Sequence, residues 1–182
     1  MNNMVKGILA IVGFIAFMVV VSIGYKFLSS DFDGNNNNNG QINTGSQAKD
    51  FTVEDIDGKE VSLSDFRGKP VVVNFWASWC PPCKAEMPYY NEVYKEVGDE
   101  VQFMMVDLVD GSRETVATAK AFIEDNGYEF PIFFDTDQDA AIAYGVYSIP
   151  TSIFIDKDGK VVKSITGGLS KDELLAEIEM IR

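Results

Sequence analysis

The apolar and polar positions after residue 47 alternate between strand and helix periods. Strands are predicted at residues 51–53, 60–63, 71–76, 101–109, 131–134, 151–155 and 161–166. Helices are predicted from the prolines at 81–82 to Val97, over 113–126, over 139–144 and after a capping box of Ser170 and Glu173. This order predicts an α/β domain with a mixed sheet, covered by helices on both faces.

The first 47 residues follow another pattern. Residues 7–25 carry no charged side chain, and a helix of that length, rising about 1.5 Å per residue, matches the thickness of a bilayer. Residues 1–28 are therefore predicted to be a transmembrane signal anchor, although a cleaved signal peptide is the alternative. Residues 29–47, rich in Asn, Gly and Ser, predict a flexible linker. Residues 48–182 would then form the single folded domain.

Charge and composition exclude several function classes. The net charge is -13, and because the first 47 residues carry two Lys and two Asp, the acidity lies in the domain. Nucleic acid is therefore an unfavourable partner. The chain has no His and two Cys, which excludes His-based triads, His-ligated haem and a structural zinc site within one chain. No metal or cofactor is expected.

The two cysteines form the candidate redox centre. Cys80 directly follows a predicted buried strand and begins a helix, where free N–H groups and the helix dipole favour a thiolate. Pro81 and Pro82 suit the first helical positions because their φ is already fixed. Cys83 lies one turn further, sheltered, at a spacing that permits a disulfide and attack on a mixed disulfide at Cys80. We expect Cys80 at an exposed helix start, which disfavours a buried structural pair.

Two motifs carry a family resemblance. Residues 76–83, Trp-Ala-Ser-Trp-Cys-Pro-Pro-Cys, and residues 148–151, Ser-Ile-Pro-Thr, resemble the thioredoxin superfamily. The anchor, the opening hairpin, the Lys-Ala-Glu-Met-Pro continuation at 84–88 and an additional helix and strand over 113–134 resemble the membrane-anchored thiol-disulfide oxidoreductases of the TlpA/ResA type. The resemblance implies a thioredoxin-like fold with an N-terminal β-hairpin and a central helix-strand insertion.

The resemblance also implies roles for single residues. Cys80 would be the attacking thiol and Cys83 the resolving thiol. Pro150 would be a cis-proline facing them, and Ile149 before it would offer its backbone to a bound substrate strand. Trp79, with Pro81 and Pro82, would line the substrate contact.

One departure from thioredoxin concerns proton transfer. Asn74 stands where thioredoxins place a buried aspartate, and an amide cannot exchange protons at physiological pH. Glu86, one helical turn after Cys83, matches a glutamate of the ResA-type proteins, and desolvation there would raise its pKa. The alternative is a solvated glutamate on the helix surface.

The implied function is an extracytoplasmic reductase of disulfides in exported proteins, held at the cell membrane by a single span. It would receive electrons from a membrane partner of thiol-disulfide type. Apocytochrome c is the family's familiar client. A thiol peroxidase and a non-enzymatic redox-sensing or binding domain are the alternatives, and the closely spaced cysteine pair argues against the peroxidase.

Overall fold

The computed structural model describes residues 44–182 together with Met18. The chain divides into two units, Met1–Asn38 and Asn39–Arg182, and every element named below lies in the second. The predicted anchor over 1–28 lies outside the described residues apart from Met18. Within the described part, no helix is both long enough and apolar enough to cross a membrane.

Seven strands form one mixed sheet in the order β2-β1-β5-β4-β3-β6-β7. They are β1 Thr52–Glu54, β2 Glu60–Ser62, β3 Val71–Trp76, β4 Gln102–Leu108, β5 Ile132–Asp135, β6 Thr151–Ile155 and β7 Val161–Thr166. The central strands β3, β4 and β5 are parallel, and the outer pairings are antiparallel. The helices are α1 Pro81–Val97, α2 Val116–Asn126, α3 Asp139–Tyr144 and α4 Lys171–Glu179, with a 3₁₀ helix at Leu63–Phe66.

The helices cover both faces of the sheet, as the sequence predicts. One apolar cluster joins the sheet to α1, α2 and α4, and a second joins its other face to α3 and the 3₁₀ helix. The connections from β3 to β4 and from β4 to β5 step in the same direction across the sheet. Because such crossovers are right-handed, α1 and α2 lie on the same face. The redox motif at the start of α1 therefore lies on that face.

Strand β3 determines where the redox motif lies. All six of its residues are buried, as expected for a central strand with apolar residues on both faces. Its carboxyl end leads directly into the loop before α1, so the cysteines lie at the edge of the sheet where parallel strands end. Ligand and reaction sites of open α/β sheets lie at this edge.

Several predicted boundaries were wrong, and the bounds of β1, β4 and β5 differ from the predicted ones by one residue. Leu63 begins the 3₁₀ helix rather than ending a strand. Helix α2 begins at Val116 instead of 113, because Asp110 Oδ1 accepts the backbone N–H groups of residues 112–114 and holds them in a loop. Thr115 then caps the helix by accepting from the N–H of Thr118.

The fold includes the last residues of the segment assigned to the linker. The N–H of Gly45 donates to the carbonyl of Val161 at 2.7 Å, and Gln47 forms a bridge with Lys160. The N–H of Ala48 donates to the carbonyl of Gly159 at 2.8 Å. These contacts extend the pairing beside β7, so residues 45–47, predicted as part of the linker, take part in the fold of the domain.

Candidate active site at the start of helix α1

Cys80 and Cys83 form a disulfide across the first turn of α1, with their Cα atoms 5.3 Å apart. Cys80 is the N-cap residue of the helix, and its Sγ accepts from the N–H of Cys83 at 3.3 Å. Pro81 and Pro82 occupy the first two helical positions. Because prolines carry no N–H, Cys83 provides the first backbone donor of the helix that can face the Cys80 sulfur.

The sulfur of Cys80 is less accessible than the sequence led us to expect. Cys80 is 3% exposed and Cys83 is fully buried, whereas Trp79, Pro81 and Pro82 around them are exposed. The expectation of an exposed Cys80 is therefore wrong for this disulfide-bonded form. The physical reason is that its Sγ turns toward Cys83 and lies 3.8 Å from the carbonyl oxygen of Ile149.

The loop before β6 faces the disulfide. The Ile149–Pro150 peptide bond is cis, as the resemblance implies. The carbonyl of Pro150 accepts from the N–H of Gly167 at 2.8 Å, and Thr151 Oγ1 donates to the carbonyl of Ser148 at 2.8 Å, so this loop is anchored on both sides. The backbone of Ile149 thus lies directly beside the reactive sulfur.

Glu86 is a buried residue of this site rather than a surface glutamate. It is 2% exposed. Its Oε1 accepts from Asn74 Nδ2 at 2.9 Å, and its Oε2 accepts from the backbone N–H of Leu169 at 2.8 Å. Cys83 and Glu86 lie one turn apart on the buried side of α1. The solvated alternative left open by the sequence is therefore excluded.

Burial raises the pKa of Glu86 to about 7, and the hydrogen bonds from Leu169 and Asn74 oppose that rise. The Asn74 amide also donates to Ser152 Oγ at 3.1 Å, and the Ser152 hydroxyl pairs with the Tyr90 hydroxyl at 2.7 Å. Burial and the nearby Glu86 charge raise the pKa of Tyr90. At neutral pH, Glu86 is thus the member of this network whose charge can change.

Sequence reasoning missed a second group of polar residues beside the cysteine loop. Asp107 and Glu114 are both fully buried. Glu114 Oε2 accepts from the backbone N–H of Ser78 at 3.1 Å and from its hydroxyl at 2.8 Å. A sequence signal existed for Asp107, since it is a charged residue inside the apolar strand predicted over 101–109. Among the described residues, no cluster of His, Cys, Asp or Glu is arranged to hold a metal ion.

Comparisons with known proteins agree with this geometry. The model of the AhpC/TSA family matches residues 44–164. The thiol-disulfide oxidoreductase ResA of Geobacillus thermodenitrificans is 36% identical over 171 residues, covering 92% of this chain and 92% of the relative. Its counterpart in Bacillus thuringiensis is 41% identical over 144 residues, covering 78% and 80%.

Solved structures give the same result. A thiol:disulfide interchange protein DsbE from Chlorobium tepidum superimposes with a TM-score of 0.69 at 31% identity, covering 78% of this chain and 99% of that one. The exposed lipoprotein thioredoxin of Streptococcus pneumoniae superimposes with a TM-score of 0.64 at 37% identity, covering 72% and 99%. The fold is thus shared with proteins of thiol-disulfide exchange.

Proposed function

From the premise that this chain belongs to the AhpC/TSA family and is a thiol-disulfide oxidoreductase, we propose that it reduces disulfides in exported proteins, on the outer side of the cytoplasmic membrane. The observation that carries the proposal is the Cys80–Cys83 disulfide at the start of α1, with the Ile149 carbonyl 3.8 Å from the Cys80 sulfur. A substrate strand that pairs with the backbone at Ile149 would bring its own disulfide to Cys80.

The proposed reaction begins with the reduced protein. The Cys80 thiolate attacks one sulfur of the substrate disulfide, which forms a mixed disulfide and releases the other substrate sulfur as a thiolate. Cys83 then transfers its proton to Glu86, and the resulting thiolate attacks the Cys80 sulfur. This step releases the second substrate thiolate and forms the Cys80–Cys83 bond. Two electrons have passed to the substrate, and its two thiolates take up protons from water.

Glu86 is the proposed proton acceptor for Cys83. A general base works best when its pKa lies near the working pH, and burial raises the pKa of Glu86 to about 7. The uncharged Asn74 leaves this role to Glu86, because an amide cannot take up the proton. Trp79, 38% exposed, would contact the substrate beside Cys80, together with Pro81 and Pro82.

The proposed location rests on the apolar residues 7–25 and on the pneumococcal relative, which is described as an exposed lipoprotein. A membrane partner with a reactive dithiol would return Cys80 and Cys83 to the reduced state by the same exchange chemistry. The direction of electron flow requires a potential nearer to about -270 mV, as in thioredoxin, than to about -120 mV, as in strong oxidants.

Substrate trapping tests this proposal. In a Cys83→Ala variant, the mixed disulfide on Cys80 cannot be resolved, so the client stays covalently bound and mass spectrometry identifies it. We expect exported proteins with cysteine pairs among the clients, and apocytochrome c is the first candidate. The matched control carries Cys80→Ala together with Cys83→Ala and should trap nothing. A measured potential of about -120 mV would instead assign the protein as an oxidant of its clients.

A further inference from the structure

Asp107 is a buried carboxyl group without a conventional partner. It is fully buried in β4, with Trp76 of β3 and Phe134 of β5 as its neighbours in register. No donor among the described residues reaches either of its oxygens. An ionised carboxylate in such a position is highly unfavourable. The pKa of Asp107 is raised to about 9. Burial is the largest cause, and the nearby acidic groups of Glu114 and Asp110 contribute to the same rise.

Glu114 provides the acceptor that a protonated Asp107 needs. The hydrogen bond between the two carboxyl groups is one of the causes of the raised pKa of Asp107. Glu114 is itself fully buried, yet it accepts from the N–H and the hydroxyl of Ser78 and, at 3.4 Å, from Thr118 Oγ1. An ionised Asp107 beside Glu114 would be strongly unfavourable, so Asp107 holds its proton and donates to Glu114.

The loop that carries Glu114 makes a second contact beside the cysteines. The Arg113 guanidinium lies over the Trp79 ring, 3.7 Å from its centroid. Arg113 and Glu114 therefore hold Trp79 and Ser78, the two residues that directly precede Cys80. The N–H of Cys80 donates to the carbonyl of Ala77 at 3.1 Å, which closes the same turn. Any movement of Ser78 and Trp79 is thus passed on to Cys80 through a short, closed segment.

The charged groups around the pair favour the shared proton. Asp110, on the same loop, has its pKa lowered to about 2, chiefly by the N–H of Glu114, so it adds a negative charge. From α1 and α2, Lys84 and Lys120 reach the same face, but each amine lies over an aromatic ring, that of Phe122 or Phe134. Strand β3 has no ionisable side chain. The neighbouring charge that acts on Asp107 is thus negative, which favours its neutral form.

We propose that Glu114 is a positioning residue for thiol-disulfide exchange and that Asp107 supports it by sharing a proton, so that the pair sets the position of Ser78, Trp79 and Cys80. The assignment rests on the proposed role of Cys80 as the attacking thiol. When the shared proton is lost at alkaline pH, two adjacent buried anions repel each other. The loop then releases the segment before Cys80, and exchange slows.

The test measures how fast the reduced full-length chain reacts with a small aromatic disulfide between pH 6 and pH 10.5. We expect the wild-type rate to fall above about pH 9, where Asp107 loses its proton. Asp107→Asn supplies a permanent N–H donor to Glu114, so its rate should stay within about twofold of the wild type at pH 7, and the alkaline fall should disappear. Glu114→Gln should react about tenfold more slowly at every pH, because a displaced Cys80 sulfur reacts more slowly with the disulfide.

Asp135→Asn is the matched control. Asp135 is also a fully buried carboxyl group in the sheet, but it accepts the N–H groups of Ala140 and Ala141 in α3 rather than those of the cysteine loop. Its substitution should leave the alkaline fall unchanged. Identical profiles for wild type and Asp107→Asn would overturn the proposal, as would a Glu114→Gln variant with the wild-type rate. If Glu114→Gln does not fold, Asp107→Asn alone decides.

A separate control distinguishes failure of the positioning role from failure of the proposed exchange chemistry. Cys80→Ala should abolish the reaction with the aromatic disulfide at every pH. A wild-type chain that reacts no faster than Cys80→Ala overturns the role of Cys80. A wild-type chain that reacts through Cys80, but without the alkaline fall, overturns only the positioning role of Asp107 and Glu114.

Discussion

Two of the buried carboxyl groups, Glu86 and Asp107, have opposite surroundings. Glu86 accepts hydrogen bonds from Asn74 and from the backbone of Leu169, whereas Asp107 has no donor among the described residues and faces Glu114. Burial raises both pKa values, to about 7 for Glu86 and to about 9 for Asp107. Similar burial thus gives different pKa values, because donors favour the ionised form and a neighbouring acid disfavours it.

The difference separates two chemical roles. At neutral pH, the Glu86 carboxyl exists in both protonation states, which is what proton exchange with Cys83 requires. Asp107 keeps its proton at the same pH and can act only as a hydrogen-bond donor to Glu114. Burial alone therefore does not identify the acid-base group of this site. The number of hydrogen-bond donors around each carboxyl group distinguishes the two roles.

The largest expected effect is on the exchange rate of Glu86→Gln. We expect turnover at pH 8 to fall about 100-fold, because Cys83 loses its proton acceptor. The wild-type rate should rise as pH passes through about 7, where Glu86 ionises, and the variant should lack this step. Turnover in insulin reduction, measured from pH 5 to pH 9, checks the prediction. Asp107→Asn serves as the comparison and should keep the step near pH 7; loss of the step in both variants would contradict the separation of roles.

The second effect is on stability. A carboxyl group whose pKa is higher in the folded than in the unfolded protein keeps its proton longer when folded, so stability falls as pH rises between the two values. The window is from about 4.5 to about 7 for Glu86 and from about 3.8 to about 9 for Asp107. Each pH unit inside a window costs at most about 1.4 kcal/mol, so we expect a combined loss of several kcal/mol between pH 5 and pH 9.

Urea unfolding at a series of pH values checks this prediction. Glu86→Gln should reduce the slope below pH 7, and Asp107→Asn should remove the part that continues from pH 7 to pH 9. Glu86→Gln thus changes the curve only up to about pH 7, whereas Asp107→Asn changes it over the whole range up to about pH 9. An Asp107→Asn curve that runs parallel to the wild type above pH 7 would show that Asp107 is already ionised there.

A third substitution gives Glu86 an acidic neighbour, as Asp107 already has. Asn74→Asp replaces the amide donor beside Glu86 with another acid, so one of the two carboxyl groups must hold a proton. We expect the step in the exchange rate to move upward by about one pH unit. Ser152→Ala is the control, because it removes a partner of Asn74 without adding charge. A step that stays near pH 7 in Asn74→Asp would mean that Asn74 does not set the pKa of Glu86.

The smallest effect is expected for Tyr90→Phe. The Tyr90 hydroxyl bonds to Ser152 rather than to Glu86, while its ring packs edge-on against Phe103. Phe keeps the ring, so the loss of one buried hydrogen bond should cost about 1 kcal/mol of stability. The pH step of exchange should not move. Chemical denaturation and the rate profile measure both, and a displaced step would place Tyr90 among the groups that control Glu86.

Much of the fold was predictable because its signals are local. Helix α3, β6 and β7 have the predicted bounds, and Gly127 ends α2 in the left-handed conformation that favours glycine. The capping box at Ser170 also starts α4 as predicted. The start of α2 was missed because the side chain of Asp110 competes for the backbone N–H groups that a helix would leave free.

The candidate site was predictable only in part. The spacing of Cys80 and Cys83 and the family resemblance indicated the disulfide, the cis-proline and Glu86. Asp107 and Glu114 were missed because their meaning depends on each other and on Ser78. A lone acidic residue in an apolar strand indicates a buried carboxyl group that needs a partner, but the strand pattern does not identify that partner.

The elements, their order and the pair of cysteines that can close one helical turn follow from short-range sequence patterns, because all of these depend on residues a few positions apart. The behaviour of each acidic group depends instead on contacts that form when the chain folds. The donor that holds Glu86 lies 83 residues away at Leu169, and the Ser78 contacts of Glu114 span 36 residues. Local patterns cannot encode such distances, and pKa values follow from the neighbours that folding brings together.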